Sequence, residues 1–191
     1  MEQSLERQKQ PSVGRNIFLI VGTFLLLGLF AVMAINLMQF ESADLQGNEA
    51  PDFTLPLFDQ FEQEQLTLSD LRGQVVVINF WASWCVECYR EAALLEQGWR
   101  DYRGQGVVFI GVDYLDTEKE ALAYMQKYDI TYPSGPDVGD NISKNYGITG
   151  VPETFFIDKD GNIAHVQIGP IEKAALYGLL ARLVGQPSKE I

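Results

Sequence analysis

The chain has 191 residues, 47% of them hydrophobic, which suits one globular domain with an appendage better than two full domains. Its formal net charge of -12 at pH 7 would repel a phosphate backbone, so we expect no nucleic acid partner. The 2 cysteines cannot form a multi-bridge scaffold and are therefore either reactive or incidental.

The N-terminal region predicts a membrane anchor. Residues 17–40, IFLIVGTFLLLGLFAVMAINLMQF, hold no charged side chain, and about 20 apolar residues suffice to cross the hydrocarbon core as a helix. Basic residues precede this run and acids follow it, which places residues 1–16 in the cytoplasm. We therefore expect a single-pass protein of the cell membrane with its domain on the extracytoplasmic (periplasmic) side. The alternative is a cleaved secretory signal with its site at Val32 to Ala34, but the apolar run continues past that point.

The next segment leads from a linker into the first strands. Residues 41–50 are polar and acidic and predict a linker to a domain of residues 51–191. DFTLPLF, from Asp52 to Phe58, alternates apolar and polar residues and predicts a strand. Ser69 is predicted to cap a short turn. VVVINFW, from Val75 to Trp81, is an apolar, β-branched run that predicts a strand buried on both faces.

The middle of the chain alternates helix and strand patterns. Apolar residues at helical spacing predict a helix from near Cys85 to about Tyr102. VVFIGVD, from Val107 to Asp113, predicts a second buried strand. Thr117 followed by Glu120 has the spacing of a capping box and predicts a further helix that ends near Tyr128.

The C-terminal third completes the predicted fold. ETFFID (Glu153 to Asp158) and NIAHVQI (Asn162 to Ile168) predict two strands joined in a hairpin at Asp160-Gly161. Ile171 to Val184 predicts an amphipathic helix. The predicted fold class is α/β, a sandwich with a central mixed β-sheet flanked by helices, in which helices link the parallel strands and the hairpin supplies an antiparallel edge.

Cys85 and Cys88 form a Cys-x-x-Cys pair placed after a predicted buried strand and at the start of a predicted helix. The unpaired N–H groups and partial positive charge of a helix N-terminus stabilise a thiolate, so Cys85 is expected to be the nucleophile. Cys88, one turn further and less exposed, is placed to resolve a mixed disulfide on Cys85. The spacing therefore predicts a site of dithiol–disulfide exchange.

Three other interpretations of the cysteine pair remain open. A zinc site would need four ligands, and the chain adds only the single histidine His165. A structural bridge would close too short a loop to restrict the unfolded chain much. Two inert thiols at this spacing by chance are the third possibility.

Two segments, VVVINFWASWCVECYREAALLE and YGITGVPETFFIDKDGNI, resemble the membrane-anchored thioredoxin-like proteins of cytochrome c maturation, the CcmG/DsbE and ResA group and their TlpA-like relatives. The resemblance extends from Asn48 to about Val184. It implies a thioredoxin-like fold and thiol–disulfide oxidoreductase activity. It also implies that Cys85 attacks, that Cys88 resolves, and that the two form a redox-active disulfide. We expect no cofactor and no metal.

The resemblance also assigns residues around the cysteines. Trp84 matches the family's aromatic residue before the motif, and Val151-Pro152 matches the loop that faces the disulfide, where the proline is cis. A proline there offers no N–H, so neighbouring backbone groups pair with an extended substrate and Pro152 serves as its platform. Glu153 matches the Pro-Glu-Thr-Phe loop of the CcmG branch and, with these residues, is expected to contact substrate.

Glu91 resembles the family's active-site glutamate, one helical turn after Cys88. Spacing alone slightly favours the alternative of a solvated helix carboxylate. The chain departs from many relatives inside the motif, where it has no proline and carries Glu87 instead. The negative charge of Glu87 raises the free energy of a nearby thiolate, whereas the helix dipole lowers it. Each of these exposed effects is worth about 0.3–1 kcal/mol, so the redox potential and the choice of partner are left open.

The leading functional hypothesis is a reductant of protein disulfides, with apocytochrome c as the substrate that the resemblance implies. It also implies a transmembrane thiol donor of the DsbD/CcdA kind. A thiol peroxidase is one alternative, because PDFTLP resembles the start of peroxiredoxins, although WCVEC lacks their Thr/Pro-rich loop. A copper-delivery module of the Sco type is another, but it would want a Cys-x-x-x-Cys and a suitably placed histidine.

Overall fold

The computed structural model describes residues 19–30 and 46–185. The chain divides into two compact units, residues 1–41 and 42–191. In the first unit, residues 19–30 form a helix, α1. Within the described ranges, no helix has the length and apolar character that a membrane crossing needs. The rest of the predicted anchor, residues 17–18 and 31–40, lies outside the described residues.

A five-stranded mixed sheet forms the centre of the second unit, which confirms the predicted α/β class. Its strands are β3 (Val75–Trp81), β4 (Val107–Asp113), β5 (Ser134–Pro136), β6 (Glu153–Ile157) and β7 (Ile163–Ile168). The spatial order is β5-β4-β3-β6-β7. β3 is parallel to β4, and β4 to β5, whereas β6 pairs antiparallel with both β3 and β7. The predicted hairpin is therefore the antiparallel edge of the sheet.

The helices of this unit are α2 (Cys88–Tyr102), α3 (Glu118–Tyr128), α4 (Asn141–Asn145) and α5 (Lys173–Val184). Every residue of β3 is buried, because one face of the sheet packs against α2, α3 and α5 and the other against α4 and a small hairpin. That hairpin consists of β1 (Thr54–Pro56) and β2 (Gln65–Thr67). The two hydrophobic cores explain why the sequence of β3 is apolar throughout rather than alternating.

Some of the sequence predictions need correction. The strand predicted over 52–58 is only Thr54–Pro56, and its short partner β2 was not predicted. Ser69 does not cap the turn of Leu68–Leu71 with its side chain. Instead, its N–H donates to the carboxylate of Asp52 at 2.9 Å. The helix predicted from near Cys85 begins at Cys88, because the residues before it form a separate turn.

The end of the predicted linker belongs to the folded unit. Gly47 donates to the Ile163 carbonyl at 2.7 Å, and Glu49 forms a bridge with Asn162. Ala50 is buried. Residues 47–50 therefore pack beside the start of β7, while residues 41–45 lie outside the described residues.

The start of α3 confirms the predicted cap with one change. The Thr117 hydroxyl accepts a hydrogen bond from the Glu120 N–H at 3.3 Å. In a full capping box the glutamate would accept from the Thr117 N–H, but here that N–H donates to the Asp116 carboxylate at 2.8 Å. Asp116, which precedes the cap, therefore accepts the hydrogen bond that Glu120 would accept in a capping box.

Gly135 allows β5 to pass close to β1, and this contact predicts a stability effect. A Cβ at Gly135 would lie 1.8 Å from the Pro56 carbonyl oxygen, so Gly135→Ala must displace backbone. We expect it to lower the free energy of unfolding by about 3 kcal/mol or to prevent folding. Gly178→Ala in α5, where nothing lies within 4 Å, is the matched control and should stabilise by about 0.5–1 kcal/mol. Urea unfolding measures both, and equal effects of the two variants would contradict the prediction.

Candidate active site

The two cysteines form a disulfide between β3 and α2. Cys88 is fully buried and Cys85 is 5% exposed, so the predicted order of accessibility is confirmed, although Cys85 is itself largely covered. The backbone N–H of Cys88 points at the Cys85 sulfur at 3.1 Å. When the disulfide is reduced, this N–H faces a Cys85 thiolate, and a charge-assisted hydrogen bond of this kind favours the ionised thiol.

The loop that faces the disulfide contains the cis peptide bond between Val151 and Pro152, which confirms that expectation. The Val151 carbonyl oxygen lies 3.4 Å from the Cys85 sulfur. On the other side of the loop, the Gly169 N–H donates to the Pro152 carbonyl at 2.9 Å and attaches the loop to the end of β7. The loop therefore meets the more accessible of the two sulfurs.

The Glu153 side chain forms hydrogen bonds with this loop. Its carboxylate is buried and accepts hydrogen bonds from the Thr149 N–H and hydroxyl, both at 2.7 Å, and from the Gly150 N–H at 3.2 Å. These bonds turn the carboxylate toward the backbone of its own loop. Its assignment as a substrate contact stays a prediction, and what the geometry supports directly is positioning of Val151 and Pro152.

Glu91 is 1% exposed, so the alternative of a solvated helix carboxylate is wrong. One carboxylate oxygen accepts from the Asn79 side-chain amide at 2.8 Å, and the other accepts from the Ile171 N–H at 2.8 Å. Asn79 also donates to the Thr154 hydroxyl at 2.9 Å. Glu91 thus joins α2 to the central strand β3 and to the residues that precede α5.

Burial dominates the titration of Glu91. Desolvation raises its pKa to about 7, against the opposite effects of the Ile171 and Asn79 hydrogen bonds. A carboxyl group with this pKa exists in both forms at neutral pH and can accept or release a proton. Asn79 was not among the predicted site residues, although an amide in the middle of an otherwise apolar strand is a visible signal.

Three apolar side chains at or near the active-site turn are exposed. Trp84 is 56% exposed, and its indole N–H donates to the Leu115 carbonyl at 3.0 Å. Val86 and Leu115 are likewise exposed. Leu115, which sequence analysis did not identify, is an apolar residue within an acidic stretch. Together these three side chains offer an apolar surface beside Cys85.

The charge of Glu87 inside the motif has a partner. Its carboxylate lies 2.7 Å from the Arg90 guanidinium, one helical turn further along. Both side chains are at least half exposed, so the pair contributes little to stability, about 0.2–1 kcal/mol. It nevertheless reduces the net charge next to Cys85, a compensation that was not predicted from the sequence.

Other candidate sites are less well supported. In residues 19–30 and 46–185, no group of three or more His, Cys, Asp or Glu side chains is placed to hold a metal ion. His165 lies on β7 with its ring 6.0 Å from that of Phe156. Desolvation lowers the pKa of His165, which is consistent with a packing residue.

The site as built supports exchange of a disulfide through two cysteines of unequal accessibility. Together with the mixed sheet, this defines a thioredoxin-like thiol–disulfide oxidoreductase. The chain belongs to the AhpC/TSA family, whose sequence profile matches residues 46–166.

Similar proteins support this class. The chain is 31% identical over 169 residues to a thiol-disulfide oxidoreductase ResA from Bacillus cereus, covering 86% of this chain and 96% of that protein. It is 38% identical over 154 residues to a thiol:disulfide interchange protein DsbE from Allochromatium vinosum, covering 76% and 83%. A solved thiol:disulfide interchange protein of the thioredoxin family from Chlorobium tepidum TLS superposes with a TM-score of 0.65 at 26% identity, over 72% of this chain and 96% of that one.

Glu91 predicts how stability depends on pH. The folded protein keeps this proton up to about pH 7, whereas the unfolded chain releases it near 4.5, so folding stability falls as pH rises through that window. The expected loss is about 3 kcal/mol, and Glu91→Gln should remove this part of the slope. The measurement is urea unfolding of the oxidised protein between these two pH values.

The exposed Glu62 offers the matched control. Glu62→Gln should leave the slope as it is in the unmodified protein. If Glu91→Gln and Glu62→Gln gave the same slope, the carboxyl group of Glu91 would not be the group that titrates.

Proposed function

We propose that the protein is a membrane-tethered, extracytoplasmic thiol–disulfide oxidoreductase that reduces protein disulfides, with the disulfide of apocytochrome c as its substrate. The observation that carries this proposal is the geometry at Cys85. The more accessible sulfur of the pair lies against the cis-proline loop and beside exposed apolar side chains. Relatives named thiol-disulfide oxidoreductase ResA and thiol:disulfide interchange protein DsbE support the same class of reaction.

The proposed reaction consumes the reduced form of the pair. The Cys85 thiolate attacks one sulfur of the substrate disulfide, forms a mixed disulfide, and releases the other substrate sulfur as a thiolate that takes up a proton. The Cys88 thiol then loses its proton and attacks the Cys85 sulfur, which releases the second substrate thiol. Two electrons pass to the substrate, and the Cys85–Cys88 disulfide remains.

Glu91 is the proposed acceptor of the Cys88 proton. It lies one helical turn after Cys88, inside the same buried region. With a pKa of about 7, its carboxylate can take a proton from a thiol and its carboxylic acid can return it. The buried setting also keeps bulk water from competing for that proton.

A polypeptide substrate suits the surface around Cys85. Trp84, Val86 and Leu115 are exposed apolar side chains, which favour the apolar flanks of a disulfide-bonded segment. Val151 and Pro152 are the proposed backbone contact for that segment. Binding through one strand of main chain and a few apolar side chains is compatible with rapid release after reduction.

The proposed location and electron source depend on the sequence. The uncharged run over 17–40 is the proposed single-pass anchor, with residues 1–16 in the cytoplasm. Outside the cytoplasm the disulfide must be reduced again by electrons carried across the membrane. We therefore include a transmembrane thiol donor of the DsbD/CcdA kind as a partner.

The proposal predicts a reducing potential and a trapped substrate. The full chain, equilibrated with dithiothreitol buffers, should show a potential near that of thioredoxin, about -270 mV. Cys88→Ala should accumulate a mixed disulfide with an oxidised Cys-x-x-Cys-His peptide, the haem-attachment sequence of c-type cytochromes. Cys85→Ala is the matched control and should form none.

Three results would contradict this function. A potential near that of DsbA, about -120 mV, would indicate a disulfide donor instead. Turnover of peroxide at a rate above that of the peptide would favour a thiol peroxidase. Stoichiometric copper binding without trapping would favour a copper-delivery module.

A further inference from the structure

Two aspartates lie beneath the turn that carries the active-site cysteine. Asp116 precedes α3, and its carboxylate accepts hydrogen bonds from the Ser83 N–H at 2.6 Å and from the Ser83 hydroxyl at 2.9 Å. It also accepts from the Thr117 N–H at 2.8 Å. One carboxylate therefore ties α3 to the residue two positions before Cys85.

Asp113 is the last residue of β4 and lies three positions before Asp116 in the chain. It is 3% exposed, and its Oδ1 atom is buried without a hydrogen-bond partner among the described residues. Asp113 is paired in register with Trp81, so it lies at the end of the sheet from which the active-site turn departs. A buried carboxyl group in this position is costly as an anion and requires neutralisation.

A proton can supply this neutralisation. Burial, followed by the negative charge of Asp116 and a hydrogen bond between the two carboxyl groups, raises the pKa of Asp113 to about 8. Asp113 is therefore a neutral acid at neutral pH and can donate its proton toward Asp116. The pair then carries a single negative charge.

Other titratable groups on the neighbouring elements do not alter this picture. Tyr124 of α3 stacks on Trp81 with ring centroids 4.6 Å apart, and burial keeps its pKa well above the usual range, so it stays neutral. Asp137, after β5, directs its carboxylate to the N–H groups of Ile142 and Ser143 instead.

We propose that Asp113 and Asp116 act as a proton-sharing pair that positions the active-site turn at Ser83, and with it Cys85, for attack on a disulfide. This inference rests on the proposed exchange at Cys85 but not on the identity of the substrate. Both residues are positioning residues, because neither contacts the cysteines. The shared proton lets the Asp116 carboxylate face Ser83 without repulsion from its neighbour.

The proposal predicts an unusual effect of pH on the exchange rate. A thiolate nucleophile normally reacts faster as pH rises, because more of the thiol is ionised. In this protein the shared proton leaves above about pH 8, and two adjacent carboxylates then repel each other. The turn loses its support, so the rate should break downward near that pH.

The test measures the rate at which the reduced full-length chain cleaves a chromogenic aromatic disulfide from pH 6 to about pH 10. This range spans the ionisation of a buried aspartate pair. Asp116→Asn should react about tenfold more slowly at neutral pH, because Ser83 loses a charged acceptor. Asp113→Asn places an amide donor beside Asp116, so its rate at neutral pH should stay within about twofold of the unmodified protein. Its downward break at high pH should disappear.

The control is Glu118→Gln, which removes an exposed acid from the first turn of α3. It should leave both the rate and the break unchanged. Near-ultraviolet circular dichroism of each variant verifies folding. If Asp116→Asn does not fold, the pH profile of Asp113→Asn still decides the question.

Two outcomes would contradict the proposed role of Asp113 and Asp116. One is a break at high pH that persists in Asp113→Asn, and the other is an Asp116→Asn rate equal to that of Glu118→Gln. A failure to trap the Cys-x-x-Cys-His peptide would contradict the proposed substrate but would not affect these rates. The two proposals can therefore fail separately.

Discussion

A carboxylate buried in an apolar core must find hydrogen-bond donors, and Glu91 finds them on two other parts of the fold. The Asn79 amide in β3 and the Ile171 N–H before α5 both donate to it at 2.8 Å. Because an unpaired buried charge costs several kcal/mol, these three elements cannot move apart without exposing or neutralising the group. The helix that carries Cys88 is thereby held against the central strand, and the same constraint gives the site a carboxyl group that titrates near neutral pH.

Other acids organise the loops in a similar way. Each accepts hydrogen bonds from backbone N–H groups that have no partner within a helix or strand. The acids and their donors are Glu96 with Thr131, Asp116 with Ser83, Asp137 with Ile142 and Ser143, and Glu153 with Thr149 and Gly150. Part of the excess of acids in this chain therefore has a structural role. Two of these loops lie next to Cys85: Ser83 stands two positions before it in the chain, and the loop that Glu153 holds contains Val151, whose carbonyl oxygen lies 3.4 Å from the Cys85 sulfur.

The site separates recognition from proton chemistry. Exposed apolar side chains at Trp84, Val86 and Leu115 lie around the more accessible sulfur, where a polypeptide can dock. The carboxyl groups of Glu91 and Asp113 are buried instead, and burial raises the pKa of each. Glu87, the residue that distinguishes this motif, stays at the surface and pairs with Arg90, so its charge does not enter the buried region.

Local sequence patterns were enough to predict four of the five strands of the central sheet, the helices α2, α3 and α5, and the exchange site. The apolar runs of β3 and β4, the cap at Thr117 and the hairpin turn are local signals, because periodicity and turn chemistry depend only on neighbouring residues. Tertiary structure decided the rest. The strands β2 and β5 have three residues each and exist through partners distant in the chain, and helical spacing could not show that Glu91 is buried or that Asp113 meets Asp116. Such features depend on which surfaces pack together, and a local pattern carries no information about the surface that will cover it.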